Sequence, residues 1–212
     1  MSVDVAWAQA WIRSSAKVLS EHRAELNTLD REIGDGDHGE NMDRGFQAML
    51  AKLDAATDAG TPAELLKTLA ATLISTVGGA AGPLYGTAYL KAAAAVAGSA
   101  DLDGPAVVAL LTAGRDGIVL RGKAESGDKT MVDAWTPAVD AAIAAEAAGE
   151  SPEQILARAA DAAESGAAAT VPLIARKGRA SYLGERSIGH LDPGARSTAL
   201  ILRCASDAAA QS

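Results

Sequence analysis

Apolar residues recur three or four positions apart along most of this chain, the spacing of amphipathic helices. The first such segment, residues 5–26, places Ala8, Ile12 and Leu19 on one face. About eight helices are predicted in this way. No segment alternates apolar and polar residues for long enough to predict a strand. The pattern therefore predicts an all-α fold, with residues 1–212 forming a single domain.

Capping signals mark several of the predicted helix starts. Residues 61–64 (Thr-Pro-Ala-Glu) and 151–154 (Ser-Pro-Glu-Gln) each combine an N-cap hydroxyl, a proline at the first helical position and a Glu or Gln at the third. Asp128 is predicted to cap another helix. Residues 174–194, in contrast, carry four glycines and little periodicity, which predicts a long functional loop before the last helix.

Composition and charge narrow the possible functions. Hydrophobic residues make up 49% of the chain but aromatic residues only 3%, which favours closely packed helices. A formal net charge of −8 argues against a nucleic-acid partner or an anionic membrane surface. Cys204 is the only cysteine, so no internal disulfide can form. Without a signal sequence or a long apolar run, we expect a soluble cytoplasmic protein.

Residues 34–39 match the G-x-G-x-x-G dinucleotide fingerprint letter for letter. A helical pattern precedes them, however, and Asp35 and Asp37 lie between the glycines. Two carboxylates would repel a diphosphate unless cations lay between them. Together with Asp30 they form a set of oxygen ligands that suits Mg²⁺ bound with substrate phosphates. The alternative interpretation is an acidic, solvated turn.

Three other loops could contribute to the same site. The Gly-rich turn at residues 78–82, the loop at 121–131 and the basic loop at 174–194 each precede a predicted helix, as the Asp-rich turn does. If successive helices run antiparallel, all four lie at one end of the bundle. Arg176, Lys177, Arg179 and Arg186 make the last loop basic, and guanidinium groups bind phosphate well. The alternative for this loop is a surface segment with solvated charges.

These motifs closely resemble those of the L (nucleotide-binding) subunits of bacterial dihydroxyacetone kinases. The resemblance spans essentially the whole chain and includes residues 30–41, 78–87, 121–131 and 176–194. It implies an eight-helix antiparallel barrel that holds ADP and two Mg²⁺ ions at one end, with Asp30, Asp35 and Asp37 as the metal ligands. The residues that it places around the nucleotide are His38, Gly39, Glu40, Asn41, Gly79, Ala80, Ala81, Gly122, Met131, Arg179, Asp192, Pro193 and Gly194.

Ala81 departs from the family pattern, in which this turn carries a serine. One hydroxyl donor to the phosphates is therefore missing, and we expect weaker nucleotide binding with the site retained. His38 is expected to contact the nucleotide, the alternative being a phosphoryl carrier. Apart from Arg179 and the metal site, which would neutralise charge, no catalytic residue is assigned.

By resemblance, the function is phosphoryl transfer in a multi-subunit kinase. Retained ADP would be phosphorylated by a phosphohistidine protein of the phosphoenolpyruvate-dependent phosphotransferase system, and the resulting ATP would pass its phosphoryl group to dihydroxyacetone on a separate K subunit. The alternatives are a module that exchanges ADP for free ATP and phosphorylates a small ketose, and a non-enzymatic, ADP-loaded interaction module. No nucleic-acid or membrane partner is expected, whereas a homo-oligomer is possible.

Overall fold

The computed structural model describes residues 2–57 and 60–211. The helix pattern also predicts a short connection near residues 58–60, which lies partly outside these ranges. The only β-type contact in the described ranges is an isolated bridge between Val3 and Leu102. The remaining regular structure in these ranges is helical, as predicted. The helices are α1 (Val5–Glu21), α2 (Arg23–Ile33), α3 (His38–Ala55), α4 (Pro62–Thr76), α5 (Ala81–Ala95), α6 (Gly104–Gly122), α7 (Val132–Ala147), α8 (Pro152–Ala169), a 3-10 helix (Arg179–Ser187) and α9 (Pro193–Ala209).

Eight of the helices form a closed ring. Each of α3 to α8 packs against the next α-helix along the chain, and α1 closes the ring by packing against both α9 and α3. Neighbours run antiparallel, because α3, α5, α7 and α9 begin at the end of the ring where α4 and α6 finish. The predicted antiparallel helical barrel is confirmed. No helix in the described ranges has the length and hydropathy needed to span a membrane.

Two tryptophans close the ring between its first and last helices. Trp7 and Trp11 stack with ring centroids 5.1 Å apart and are fully buried. Their indole N–H groups donate to the α9 carbonyls of Ala205, at 2.9 Å, and Ile201, at 2.8 Å. Because a buried indole N–H needs an acceptor, these bonds fix how α1 lies on α9.

Small residues allow the helices to approach closely, which explains the abundance of alanine. A Cβ atom at Gly166 of α8 would lie 2.3 Å from the carbonyl oxygen of Asp133 in α7. The same interface buries Ala138, Ala142 and Ala163 completely. Backbones that pack this tightly leave no room for larger side chains.

The prediction of one first helix over residues 5–26 was wrong. The chain bends at His22, whose backbone leaves helical geometry, and α2 then continues to Ile33. Within α2 only Leu26 and Ile33 are buried, so apolar periodicity is too weak to show where this helix begins and ends. As a consequence, Asp30 lies in the last helical turn and not in the loop that follows.

Two further predictions need correction. Asp128 does not cap α7, which begins at Val132; its carboxylate instead accepts a hydrogen bond from the Glu125 N–H at 2.9 Å. The basic loop is not structureless, since its centre forms the 3-10 helix. Such a helix repeats every three residues and leaves no 3.6-residue pattern to find. The capping boxes at Thr61 and Ser151, in contrast, are both present as predicted.

Candidate functional site

The four loops singled out in the sequence meet around one pocket of about 570 Å³ at one end of the barrel. This volume is in the range of small-molecule sites. Most of the predicted site residues line it, namely Asp30, Asp35, Asp37, His38, Asn41, Gly79, Ala80, Ala81, Gly122, Met131, Arg179, Asp192, Pro193 and Gly194. Antiparallel packing thus brings together residues that are up to 164 positions apart, from Asp30 to Gly194.

Gly39 and Glu40 lie outside the pocket lining. A Cβ atom at Gly39 would be 2.1 Å from the carbonyl oxygen of Arg23, so this glycine lets α3 approach α2. The Glu40 N–H donates to the side chain of Asn27 at 3.0 Å. Their predicted contact with a nucleotide therefore stays a prediction, while the structure gives both residues a part in helix packing.

Asp30 is the best-anchored of the three carboxylates. Its Oδ2 accepts hydrogen bonds from the backbone N–H groups of Asp37, at 2.9 Å, and His38, at 3.2 Å. These are the first donors of α3, which its own N-cap side chain leaves unbonded. Asp30 therefore joins the end of α2 to the start of α3, and it folds the intervening turn back on itself.

The turn places one oxygen from each of Asp30, Asp35 and Asp37 within 4.8 Å of the others. Gly34 makes this possible, because a Cβ atom there would lie 2.2 Å from Oδ1 of Asp30. Three convergent carboxylate oxygens repel one another unless a cation lies between them. Since Mg²⁺ prefers carboxylate oxygens, these residues fit the ion that the sequence predicts.

The second loop supplies a helix N-terminus without a side-chain cap. Helix α5 begins after Ala80, which offers no side-chain acceptor, and Gly79 adopts a positive φ of 63° that favours glycine. A Cβ atom at Gly82 would collide with the Val77 carbonyl oxygen at 2.3 Å, so the turn is tight. The first amides of an uncapped helix, together with its dipole, favour a bound anion such as phosphate.

Arg179 faces this site from the basic loop. One guanidinium nitrogen lies 3.0 Å from a carboxylate oxygen of Asp35, and both side chains are largely exposed. Lys177 and Gly178 also line the pocket, whereas Arg176 and Arg186 do not. The loop therefore extends over the pocket mouth and brings a cation to the candidate metal site.

Beneath the carboxylates, a hydrogen-bonded chain of side chains fills the floor. His38 Nε2 lies 2.8 Å from Ser197 Oγ, which lies 2.8 Å from the Tyr85 hydroxyl. Burial lowers the pKa of His38 to about 4, against the opposing effect of Asp30 and Asp37. The His38 ring is buried and one of its nitrogens is engaged with Ser197, so a phosphoryl donor has little access to it, which argues against a phosphoryl carrier. Tyr85 and Ser197 occupy ordinary helical positions, so no motif in the sequence singles them out.

Asp192 closes the floor at the start of α9. Its carboxylate caps the helix by accepting from the Ala195 N–H at 2.7 Å. Burial raises the pKa of Asp192 to about 7, although the helix N–H and Lys129 favour its ionised form. One wall above it is apolar, formed by Leu84, Ile118 and Met131. An apolar wall beside carboxylates that fit Mg²⁺ and a helix N-terminus that favours anions offers a surface for the base and a site for the metal-bound phosphates of a nucleotide.

A family comparison agrees with this geometry: residues 32–207 match the model of the DAK2 domain. The chain is a member of the DAK2 family. This DAK2 chain is 44% identical over 193 residues to the PEP-dependent dihydroxyacetone kinase, ADP-binding subunit DhaL, of Escherichia coli K12, and the match covers 91% of both chains. It is also 44% identical to an ADP-binding subunit DhaL of Listeria innocua, with 95% of both chains covered.

Longer relatives contain a similar region. The DAK2 chain is 35% identical to an L-erythrulose 1-kinase of Mycolicibacterium smegmatis, of which it covers 34%. Among solved structures it resembles the dihydroxyacetone kinase of C. freundii in native form, with a TM-score of 0.73 and 26% identity. The same kinase in complex with AMP-PNP and Mg²⁺ gives a TM-score of 0.70 and 27% identity. The chain spans about a third of the length of that kinase, 35% and 33% in the two structures.

Proposed function

We propose that this chain is the ADP-binding subunit of a phosphoenolpyruvate-dependent dihydroxyacetone kinase. One observation carries the proposal: a triad of clustered carboxylates, an uncapped helix N-terminus and Arg179 share one pocket. The 44% identity to ADP-binding subunits over most of the chain supports it. A K subunit would hold dihydroxyacetone, and a phosphohistidine protein of the phosphotransferase system would supply the phosphoryl group. With these partners, the reaction would take place in the cytoplasm.

The residues of the pocket divide the work of holding Mg²⁺ and ADP. Asp30, Asp35 and Asp37 would hold the metal, and we propose two ions, as the family resemblance implies. When bound, the Mg²⁺–ADP unit carries the phosphoryl group between donor and acceptor. The first amides of α5 would bind the diphosphate, where Ala81 offers no hydroxyl. Arg179 would turn from Asp35 toward the phosphates and neutralise their charge.

The rest of the pocket orients the nucleotide. Met131, Leu84 and Ile118 offer an apolar surface for the adenine. Asn41 and the turn at residues 192–194 complete the lining, and the neutral His38 keeps the floor rigid through Ser197. Phosphoryl transfer needs positioning and charge neutralisation above all. This chain would supply both, while a partner supplies the acceptor.

A second candidate is a nucleotide-binding module whose ADP exchanges with free ATP. The 35% identity to an L-erythrulose 1-kinase favours it, since a related small ketose would then be the substrate. The higher identity to the ADP-binding subunits, 44%, favours the first proposal. A third candidate, an ADP-loaded module that only signals, has no observation in its favour.

The test begins with nucleotide retention. Purified chain is dialysed exhaustively in the presence of Mg²⁺, and the bound nucleotide is then extracted and quantified. Turnover is measured after adding a dihydroxyacetone-binding subunit, with either ATP or phosphoenolpyruvate and the proteins of the phosphotransferase system. We expect retained ADP, and activity only with the phosphoenolpyruvate system.

Two results would contradict the proposal. Turnover that rises with free ATP, together with loss of ADP on dialysis, would establish the exchanging module. Retained ADP with no turnover in any combination would leave the signalling module. Where a pocket carboxylate is replaced in such assays, Asp101→Asn is the matched control, because Asp101 is exposed and lies outside the pocket.

A further inference from the structure

Lys129 has a completely buried side chain, with only 1% of its surface exposed. Its ammonium group donates to the backbone carbonyl oxygens of Thr170 at 2.7 Å, Val171 at 3.3 Å and His190. An ammonium has three hydrogens, so three carbonyls satisfy it fully. Burial lowers the pKa of Lys129, while Asp192 and Asp133 act to keep the amine charged. Within the described residues, the hydrogen bonds of the ammonium go to these three carbonyls, while Asp133 and Asp192 accept from backbone N–H groups.

The backbone of Lys129 is held in a conformation that side chains disfavour. Its φ is +62°, and the only other non-glycine residue with positive φ in the described ranges is Lys123, at +51°. Glycine, asparagine or aspartate would occupy this region at lower cost. A strained backbone persists only where other contacts compensate for its cost. At Lys129 these contacts are the three hydrogen bonds of the side chain.

The three carbonyls belong to the residues that flank or end the basic loop: Thr170 and Val171 come just before it, and His190 lies near its end. Thr170 and Val171 follow α8, where the segment leaves the barrel, and His190 lies just before α9, where it returns. The two ends also bond to each other, with the Gly189 N–H donating to the Val171 carbonyl at 2.9 Å. Lys129 thus joins both ends of a segment of about twenty residues at one point.

We propose that Lys129 is a positioning residue that fixes the base of the basic loop and thereby holds Arg179 over the bound nucleotide. Lys129 also lines the pocket, but its three ammonium hydrogens are all taken by the carbonyls of Thr170, Val171 and His190, so it would act through the loop. This inference rests on the proposed function for its effect on ADP. The joining of the loop ends does not depend on that function and can be measured without nucleotide.

Replacing Lys129 by methionine keeps a long side chain but leaves three buried carbonyls without a donor. Each unsatisfied acceptor is costly, and the carbonyls regain water only if the loop base opens. In Lys129→Met we therefore expect ADP to leave roughly ten times faster, which corresponds to about 1.4 kcal/mol. Arg179 lies about midway between the two loop ends that Lys129 joins. Opening of the loop base would therefore displace Arg179 without requiring the barrel to unfold.

Lys123→Met is the matched control. Lys123 also has a positive φ in the same connection, but its side chain is exposed and makes no hydrogen bond or ion pair within the described part of the chain. Hydrogen exchange is measured on all three proteins without nucleotide, and ADP release with Mg²⁺ present is followed by the exchange of bound radiolabelled ADP for excess unlabelled ADP over time. Amides in residues 174–189 should lose protection in Lys129→Met and keep it in Lys123→Met.

Lys129→Gly separates positioning from folding, because glycine relieves the backbone strain while the ammonium is still absent. We expect it to be more stable than Lys129→Met and to release ADP equally fast. Release at the wild-type rate from either Lys129 variant would overturn the inference. If the wild-type chain binds no ADP, the proposed function fails, and the exchange data on residues 174–189 still decide whether Lys129 fixes the loop.

Discussion

The two ends of the barrel are stabilised in different ways. At the end away from the pocket, four helices begin with a side chain that bonds the first turn of its own helix. These N-caps are Asp4, Thr61, Asp103 and Ser151. At the pocket end, α3, α5 and α7 have no such bond from their N-cap residues, and only α9 has one, from Asp192.

At the pocket end, the helices other than α9 lack a bond from their own N-cap residue, and in α7 the Val132 N–H donates instead to the Thr130 hydroxyl at 3.1 Å. The first amides of α3 are bonded by Asp30 and by Asn27, both in α2. Helix α5 begins without any side-chain cap. At the end away from the pocket, the first N–H groups of the helices already donate to their caps and are not available to a ligand. At the pocket end, the first N–H groups of α5 have no side-chain cap and can bind an anion. Stability and binding are therefore concentrated at opposite ends, and variants at each end should separate the two properties.

The largest effect is expected at the metal carboxylates. Asp35→Asn or Asp37→Asn removes a charged ligand, so ADP affinity in the presence of Mg²⁺ should fall at least about 100-fold, roughly 2.7 kcal/mol. Both side chains are exposed, and the free energy of unfolding without nucleotide should change little. Calorimetric titration with and without Mg²⁺ measures the first quantity, and urea denaturation the second. Equal ADP affinity with and without Mg²⁺ in the wild type would refute the metal-bridge model.

Asp192 should make the pocket end sensitive to pH. Its pKa is raised from 3.8 to about 7, so the folded carboxyl keeps its proton where the unfolded one has lost it. In nucleotide-free protein, the free energy of unfolding contributed by this group therefore falls as pH rises from about 4 to about 7. Asn keeps the cap but cannot ionise, so Asp192→Asn should flatten this fall by on the order of 2 kcal/mol. Denaturation midpoints measured across this pH range, with Asp101→Asn alongside, check the prediction; parallel wild-type and Asp192→Asn curves would contradict it.

Arg179 should matter for binding but not for stability. Its pair with Asp35 is exposed, and such pairs contribute little to folding. A charge-assisted bond to phosphate is stronger, so Arg179→Ala should weaken ADP binding by about 1.5 kcal/mol. Arg176→Ala is the control, since Arg176 belongs to the same loop but lies outside the pocket lining. An equal loss of affinity in both variants would mean that only the overall charge of the loop matters.

At the opposite end, removing a cap should have the reverse effect. Thr61 accepts from the Glu64 N–H, and Glu64 in turn accepts from the Thr61 N–H. Thr61→Ala should lower the free energy of unfolding by about 1 kcal/mol and leave ADP affinity unchanged. Thermal denaturation and titration of the same preparation test both parts. A change in ADP affinity would show that the two ends are coupled.

The smallest expected effect is a gain. Ala81 is the first residue of α5 and lines the pocket. Ala81→Ser supplies the hydroxyl that the family pattern has in this turn, and ADP binding should tighten by about 0.5–1 kcal/mol. Ala80→Ser, one residue earlier, serves as the positional control. If both variants tighten binding equally, an added helix cap, and not a phosphate contact, is the cause.

Local caps could be predicted from the sequence, whereas contacts between distant residues could not. The capping boxes at Thr61 and Ser151 involve residues three positions apart, so their patterns were sufficient. Asp128 resembles a cap in the same local sense, but the positive φ of Lys129 delays the helix to Val132. Convergence of the acidic, glycine-rich and basic loops followed from helix count and antiparallel order alone.

Long-range contacts at the pocket end were beyond sequence reasoning. The role of Lys129 depends on carbonyls 41 to 61 positions away, and backbone carbonyls have no sequence signature. Ser197 and Tyr85 lie 112 positions apart on separate helices. The bend at His22 and the extension of α2 to Ile33 were missed, because α2 packs against α3 and α9 with only Leu26 and Ile33 buried.

The stacked Trp7 and Trp11 have a consequence for biosynthesis. Their indole groups bond to carbonyls 198 and 190 residues further along the chain, in the last helix. During translation these two indole N–H groups therefore lack their native acceptors until nearly the entire chain has left the ribosome, although Trp11 can contact Tyr89 of α5 earlier. Closure of the ring is a late event, and tryptophan fluorescence should report it as a step separate from the earlier pairing of neighbouring helices.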